Sequence, residues 1–314
     1  MNESEQRGLG DFAVPDEGRP DEEAAVVAGD AGQTVSEVVD AADLKFPEST
    51  GTVDLLVTQV DYSVEGNGAT EYPVVHVFGR TADDEQEHVR ILGMEPYFYV
   101  PTVDIEGRAL TEEYDAILDT REENPNGDSF QSIRGKPLTK VIGQTPRDVG
   151  QIREDFEEHY EGDILFPNRF LIDKDVSSGL QVPERRLEDG RMQVRYDDEE
   201  LVAVEAPETA ELRVNMFDIE VDDRNGFPED GEEPIVCLTS HDSYDDEYVV
   251  WLYDAPNAEV EAPENLPGYE RIADSGSVDV RTFEEEAAML DAFVEYIQET
   301  DPDLLTGWNF EDFD

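Results

Sequence analysis

Asp218 and Glu220 stand one residue apart inside the apolar run Met216-Phe217-Asp218-Ile219-Glu220-Val221. Alternate side chains of an extended strand point to one side, so this spacing places two carboxylates next to each other, a few ångströms apart. Paired hard oxygen ligands of this kind suit Mg2+ and related divalent cations. With 80 Asp and Glu among 314 residues, chance alone supplies ~20 acid-x-acid pairs. The apolar setting separates this pair from the rest, because a carboxylate on a largely buried strand requires a cation or hydrogen bonds. A second acid-bearing segment lies far downstream, Asp301-Pro302-Asp303-Leu304-Leu305-Thr306-Gly307-Trp308-Asn309-Phe310-Glu311-Asp312-Phe313-Asp314.

The elements that carry these residues follow from patterning. Strands are expected over Leu212–Val221, Pro234–His241, Glu247–Tyr253 and Leu304–Gly307. Between the last two, after an irregular stretch to Val280, Thr282 and Glu285 read as a capping box. They open a helix whose apolar stripe is Phe283, Ala287, Leu290, Phe293, Val294 and Ile297. Three strands, a helix and a strand are how a ribonuclease-H-like fold begins. Upstream, Val53–Tyr62, Tyr72–Gly79 and Tyr97–Pro101 are strand-like runs, and Asp148–His159 reads as a short helix with Val149, Ile152 and Phe156 on one face. The apolar stretch Ile164–Ile172 follows, and polar residues 173–211, with Pro183 and Pro207, read as a linker. The expected architecture is mixed α/β (α+β). Residues 1–48 form a disordered acidic leader, 49–205 a β-rich domain, and 206–314 an incomplete ribonuclease-H-like domain.

Charge sets the medium. Against those 80 acids stand 22 Lys and Arg, a net of −58. Residues 1–48 hold 13 acids and 3 bases, a net of −10, so −48 remains on the other 266 residues and covers folded segments. Only Lys45, Lys136, Lys140 and Lys174 are lysines. That surface resembles those of proteins from extreme halophiles, where molar salt screens self-repulsion within about 3 Å. An acidic DNA mimic or histone-binding protein is the alternative that charge alone allows. The single cysteine, Cys237, excludes disulfides within the chain and cysteine-based metal sites. With no signal-like N-terminus and no run of 18 apolar residues, a cytoplasmic location is expected.

Phe217-Asp218-Ile219-Glu220 resembles the first exonuclease motif of family B DNA polymerases, and Asp301–Asp314, with an Asn followed five residues later by Asp, is similar to the second. The resemblance implies a two-metal 3′→5′ proofreading exonuclease, with Mg2+ or Mn2+ as the pair of ions. Asp218 would bridge them, Glu220 would help to orient the attacking water, Asp314 would support the second ion, and Asn309 would touch the terminal nucleotide. A fourth carboxylate is expected in a Tyr-x-x-x-Asp motif beyond these residues, as is the polymerase palm. Single-stranded template and the 3′ primer end are the implied partners, together with a sliding clamp met through later segments. A stand-alone ribonuclease-H-like exonuclease and a non-catalytic single-stranded DNA binding module are the other readings.

Residues 53–175 are similar to the N-terminal domain of archaeal members of that family. The likeness rests on Val60-Asp61-Tyr62, Pro96-Tyr97-Phe98-Tyr99, Gly135-Lys136-Pro137, Pro146-Arg147-Asp148-Val149 with Ile152-Arg153, and Phe170-Leu171-Ile172-Asp173-Lys174. It implies a pocket that captures uracil in the template strand, built from Tyr62, Pro96, Pro146, Val149, Arg153, Ile164, Phe166 and Arg169. The two arginines would hold phosphates. Gly150 and Leu165 stand where that pattern usually has proline, and the segment from Arg153 to Ile164 is several residues shorter.

Overall fold

A computed structural model describes residues 34–42, 44–222, 233–254 and 277–307. The described part is a strand-rich α/β protein built on three sheets. It opens with α1 (Val35–Ala41), whose N-cap Thr34 forms a reciprocal capping box with Glu37. Val35, Val38 and Val39 of α1 are buried against Tyr72, Val74 and Leu92. Residues 34–42 are therefore not the disordered leader expected from composition: one buried valine stripe is enough to dock a two-turn helix. Residues 1–33 of that leader lie outside the described residues.

The largest sheet takes β1 (Thr52–Glu65), β2 (Tyr72–Arg80) and β3 (Gln86–Leu92) as an antiparallel meander. Its long valine alternation puts Leu55, Val75, Val77, Val89 and Ile91 into one core. Gly79 is required where β2 crosses β1, since a Cβ there would meet the Leu56 carbonyl oxygen at 2.6 Å. A small second sheet holds β4 (Tyr97–Pro101) and, after the single turn α2 (Leu110–Glu113), β5 (Ile117–Arg121) and β6 (Leu138–Gly143). Two short helices, α3 (Pro146–Ile152) and α4 (Phe166–Asp173), cover the two cores.

The helix expected over Asp148–His159 starts earlier and stops sooner. Thr145 caps it, Pro146 takes the first turn where its missing N–H costs nothing, and after Ile152 the chain tightens through Arg153–Asp155 into extended Phe156. Nor are residues 173–211 a linker. They supply β7 (Gly179–Pro183), β8 (Met192–Arg195) and β9 (Val202–Val204), which complete the first sheet in the order β8-β3-β2-β1-β7-β9. Each has only two apolar positions facing inward or fewer, too short a signal to rise above the surrounding acids.

The third sheet runs β13-β12-β11-β10-β14. Its strands are β10 (Val214–Val221), β11 (Ile235–Asp242), β12 (Glu247–Tyr253), β13 (Ser277–Phe283) and β14 (Leu304–Gly307), with α5 (Glu286–Thr300) before the last. Trp251 is fully buried between Phe293 and Tyr296 of α5, with ring centroids 5.2 Å from each. The capping box expected at Thr282 is not formed: Thr282 pairs with Leu252 as part of β13, and α5 begins at Glu286 with Glu285 as its N-cap. Strand pairing next to β12 outcompetes the local cap. Of the expected stripe, Val294 is 51% exposed, while Met289 and Tyr296 are the buried positions. No helix among the described residues is long and apolar enough to cross a membrane.

Candidate active site

β10 lies between β11, antiparallel, and β14, parallel. Its alternation is regular: Asn215, Phe217 and Ile219 turn toward α5, with Phe217 5.6 Å from the ring of Phe293. Met216, Asp218 and Glu220 turn the other way and are exposed. The expected side-by-side placement of the carboxylates therefore follows from strand geometry. Their surroundings differ from expectation, since among the described residues only the opposite face of the strand is covered and the carboxylates themselves are exposed.

Cross-strand register extends this open face. Asp218 stands opposite Thr239 and Glu220 opposite Cys237, while Met216 faces His241. The Cys237 thiol is pushed up to about 11, first by burial and then by the negative charges of Glu220 and Asp218. Sequence reasoning assigned Cys237 no role beyond excluding disulfides and cysteine-based metal sites, because a cross-strand neighbour 17 positions from Glu220 leaves no local signal. His241 is held by Asp246 at 2.9 Å and packs on Tyr248, at the far end of the face.

Among the described residues no group of three or more His, Cys, Asp or Glu is poised to hold a metal ion. Asn309 and Asp314 lie outside the described residues, as does Trp308–Asp314 as a whole. What the structure offers a cation is a pair of adjacent, exposed, hard carboxylate ligands on a strand whose neighbour, β14, leads into that segment.

The residues expected to line a uracil pocket fall into different surroundings. Tyr62, 37% exposed, meets Phe166 edge-on at 5.6 Å. Phe166 belongs to the core of the first sheet, whereas Val149 is buried with Phe98, Val141, Ile152 and Phe156 under the second. Pro96 is buried and its carbonyl accepts from Gly143; Pro146 and Ile164 are half-buried. The arginines are not free for phosphates. Arg169, 4% exposed, donates to the Glu161 carboxylate at 2.6 Å and to its carbonyl at 2.8 Å, with its guanidinium 4.4 Å from the Tyr97 ring centre. Arg153 donates to the Gly162 carbonyl and pairs with Glu154 at 3.4 Å. Both arginines of the expected pocket therefore already have partners within the chain.

Comparison with known proteins gives these features a family. Residues 157–314 match the model for the exonuclease domain of DNA polymerase family B. The DNA polymerase delta catalytic subunit of Schizosaccharomyces pombe is 24% identical over 305 residues, covering 83% of this chain and 27% of that protein. The DNA polymerase of Archaeoglobus fulgidus is 27% identical over 229 residues, 70% of this chain and 25% of that protein. The structure of the family B DNA polymerase from the hyperthermophilic archaeon Pyrobaculum calidifontis superposes with a TM-score of 0.57 at 24% identity, over 83% of this chain and 31% of that one. The chain thus spans about a quarter of the length of the curated relatives it matches.

Proposed function

Because the chain belongs to DNA polymerase family B through its exonuclease domain, we propose that it carries part of a 3′→5′ exonuclease centre that removes nucleotides from a DNA 3′ end. The observation that carries this reading is the exposed Asp218–Glu220 pair on β10, set in a sheet of the matching domain. Bound divalent cations, Mg2+ or Mn2+, would supply an activated water and stabilise the departing 3′ oxygen. The chain's own part is to hold them. Asp218 and Glu220 provide adjacent carboxylate oxygens, Glu220 orients the attacking water, Asp314 adds a third carboxylate, and Asn309 contacts the terminal nucleotide.

Nucleotide addition, and a sliding clamp as partner, are proposed only for a longer protein of which residues 49–205 and 206–314 would form the first two domains. The acidic surface and the Archaeoglobus relative support an archaeal, salt-adapted source. The test uses a polypeptide that continues past Asp314 and a 5′-labelled single strand in molar KCl. Asp218→Ala should slow Mg2+-dependent shortening roughly a thousandfold, ~4 kcal/mol at 1.36 kcal/mol per decade, and spare synthesis. Loss of both activities together would make Asp218 a structural residue.

A second reading is favoured by the Tyr62–Phe166 contact, which leaves a partly exposed aromatic face beside α4. It assigns residues 53–175 the capture of uracil in single-stranded DNA. Excluding one methyl group discriminates by about 1–3 kcal/mol, so uracil over thymine should be tens of fold in fluorescence anisotropy. Equal affinity for matched oligonucleotides would leave these residues as plain core.

A further inference from the structure

We infer that Arg80, at the end of β2 in the first sheet, is a positioning residue for the exonuclease site on the third. This inference rests on the exonuclease reading. Arg80 leaves its own sheet and enters the ground beneath β14. Its Nε donates to Asp303 Oδ2 at 2.5 Å, Nη2 to the Asp301 carbonyl at 3.1 Å and Nη1 to the Asp84 carbonyl at 2.9 Å. The side chains of Arg80 and Asp303 are 6% and 1% exposed. Such a pair is costly to desolvate and strongly destabilising to break on one side, which makes its geometry, more than its net energy, the thing it contributes.

Asp303 is where that geometry becomes register. It is the residue before β14, and Arg213 is the residue before β10. The two clasp each other: Asp303 N–H donates to the Arg213 carbonyl at 2.9 Å and Arg213 N–H to Asp303 Oδ2 at 2.8 Å. From that clasp the parallel pairing runs Val214↔Leu304 to Phe217↔Gly307, one residue short of Asp218. A slip of one residue would turn every β14 side chain to the other face. Arg80 also holds Asp301, which has a left-handed backbone (φ 45°) directly before Pro302. That conformation persists only where its surroundings fix it, and the Arg80 bond to its carbonyl is such a fixture.

Tyr244 secures the arrangement from the β11–β12 turn. Its ring centre lies 5.1 Å from the Arg80 guanidinium and 5.3 Å from that of Arg213, and its hydroxyl donates to the Glu211 carbonyl at 2.6 Å. Arg213 is held in turn by buried Asp242 at 2.9 Å. A cation from the N-terminal sheet thus fixes the strand that neighbours Asp218 and Glu220.

The experiment compares the 314-residue chain with its Arg80→Lys, Arg80→Met and Asp218→Ala variants in molar KCl, by amide exchange and by NMR line broadening from added Mn2+. Lysine keeps a charge for Asp303 but loses the fork that also reaches Asp301, so Arg80→Lys remains folded. In both Arg80 variants the amides of β14 should exchange at least roughly thirtyfold faster, with β12 and α5 unchanged. Mn2+ should still broaden Thr239 and Cys237 but lose its effect on Thr306 and Gly307. Unchanged β14 exchange in Arg80→Lys, or β14 broadening in that variant equal to that of the unmutated chain, overturns the inference. Asp218→Ala tests the other reading separately: if it leaves all Mn2+ broadening intact, the cation site is wrong whatever Arg80 does.

Discussion

Replacing His88 with glutamine should remove part of the protein's sensitivity to acid. His88 on β3 and His76 on β2 are joined ring to ring, His76 Nδ1 to His88 Nε2 at 2.9 Å, and Ser63 holds the other nitrogen of His76 at 2.8 Å. Phe78 stacks on His88 at 4.4 Å. Burial pushes His88 down from 6.5 to about 4, helped by the neighbouring His76, Arg191 and Arg90 and opposed by Asp189. His76 is lowered as well, again mainly by burial. A folded value below the unfolded one means that the unfolded chain takes up the proton first on acidification. Stability supported by neutral His88 is therefore whole above pH 6.5 and is lost as pH falls toward 4. A separation from 6.5 to about 4, at 1.36 kcal/mol per unit, sets a ceiling of ~3 kcal/mol. Because His88 is only partly buried, roughly half of that is expected. Urea titrations of both proteins at fixed molar KCl between pH 7.5 and 4 would measure the difference, since the many carboxylates are common to both and cancel. The unmutated protein should lose about 1.5 kcal/mol relative to His88→Gln across that window. A gap that stays flat, or widens on the alkaline side, refutes the reasoning.

The melting temperature should rise from below roughly 0.5 M salt toward molar KCl, because −48 on residues 49–314 is poorly screened at low salt; circular dichroism that shows no rise rejects salt adaptation. Trp251→Ala should cost ~3–5 kcal/mol in denaturant titrations, since the ring is fully buried against α5. Val149→Gln should abolish any preference for uracil over thymine in anisotropy, and should also destabilise by ~1–3 kcal/mol by placing an amide among Phe98, Val141 and Phe156.

What could be read from the sequence is what depends on neighbours along the chain. β1, β2, β4 and β12 announce themselves through alternation, and the shared face of Asp218 and Glu220 follows from a spacing of two. The misreadings have the same origin. β7, β8 and β9 offer pairs such as Leu180 and Val182 amid acids and prolines, and their stability comes from pairing, β7 with β1, β8 with β3 and β9 with β7, which local pattern does not show. Thr282-x-x-Glu285 satisfies the capping pattern, yet the ladder with β12 claims Thr282. Arg80 and Asp303 are 223 positions apart, and nothing in either segment points to the other. In a chain with few cations, asking which carboxylate each arginine must meet is the signal that was available but could not be resolved among 80 choices.

On the proposed exonuclease reading, the lone thiol opposite Glu220 would serve as a gauge of cation occupancy. Cys237 is held at about 11 partly by the charges of Glu220 and Asp218, so a divalent ion on those carboxylates would cancel that contribution and ease ionisation. Alkylation goes through the thiolate, and with one cysteine in the chain there is no competing background. The rate of Cys237 alkylation, followed as Mg2+ or Mn2+ is added at constant pH and salt, should climb and saturate as the proposed site fills, and the readout needs no nuclease substrate.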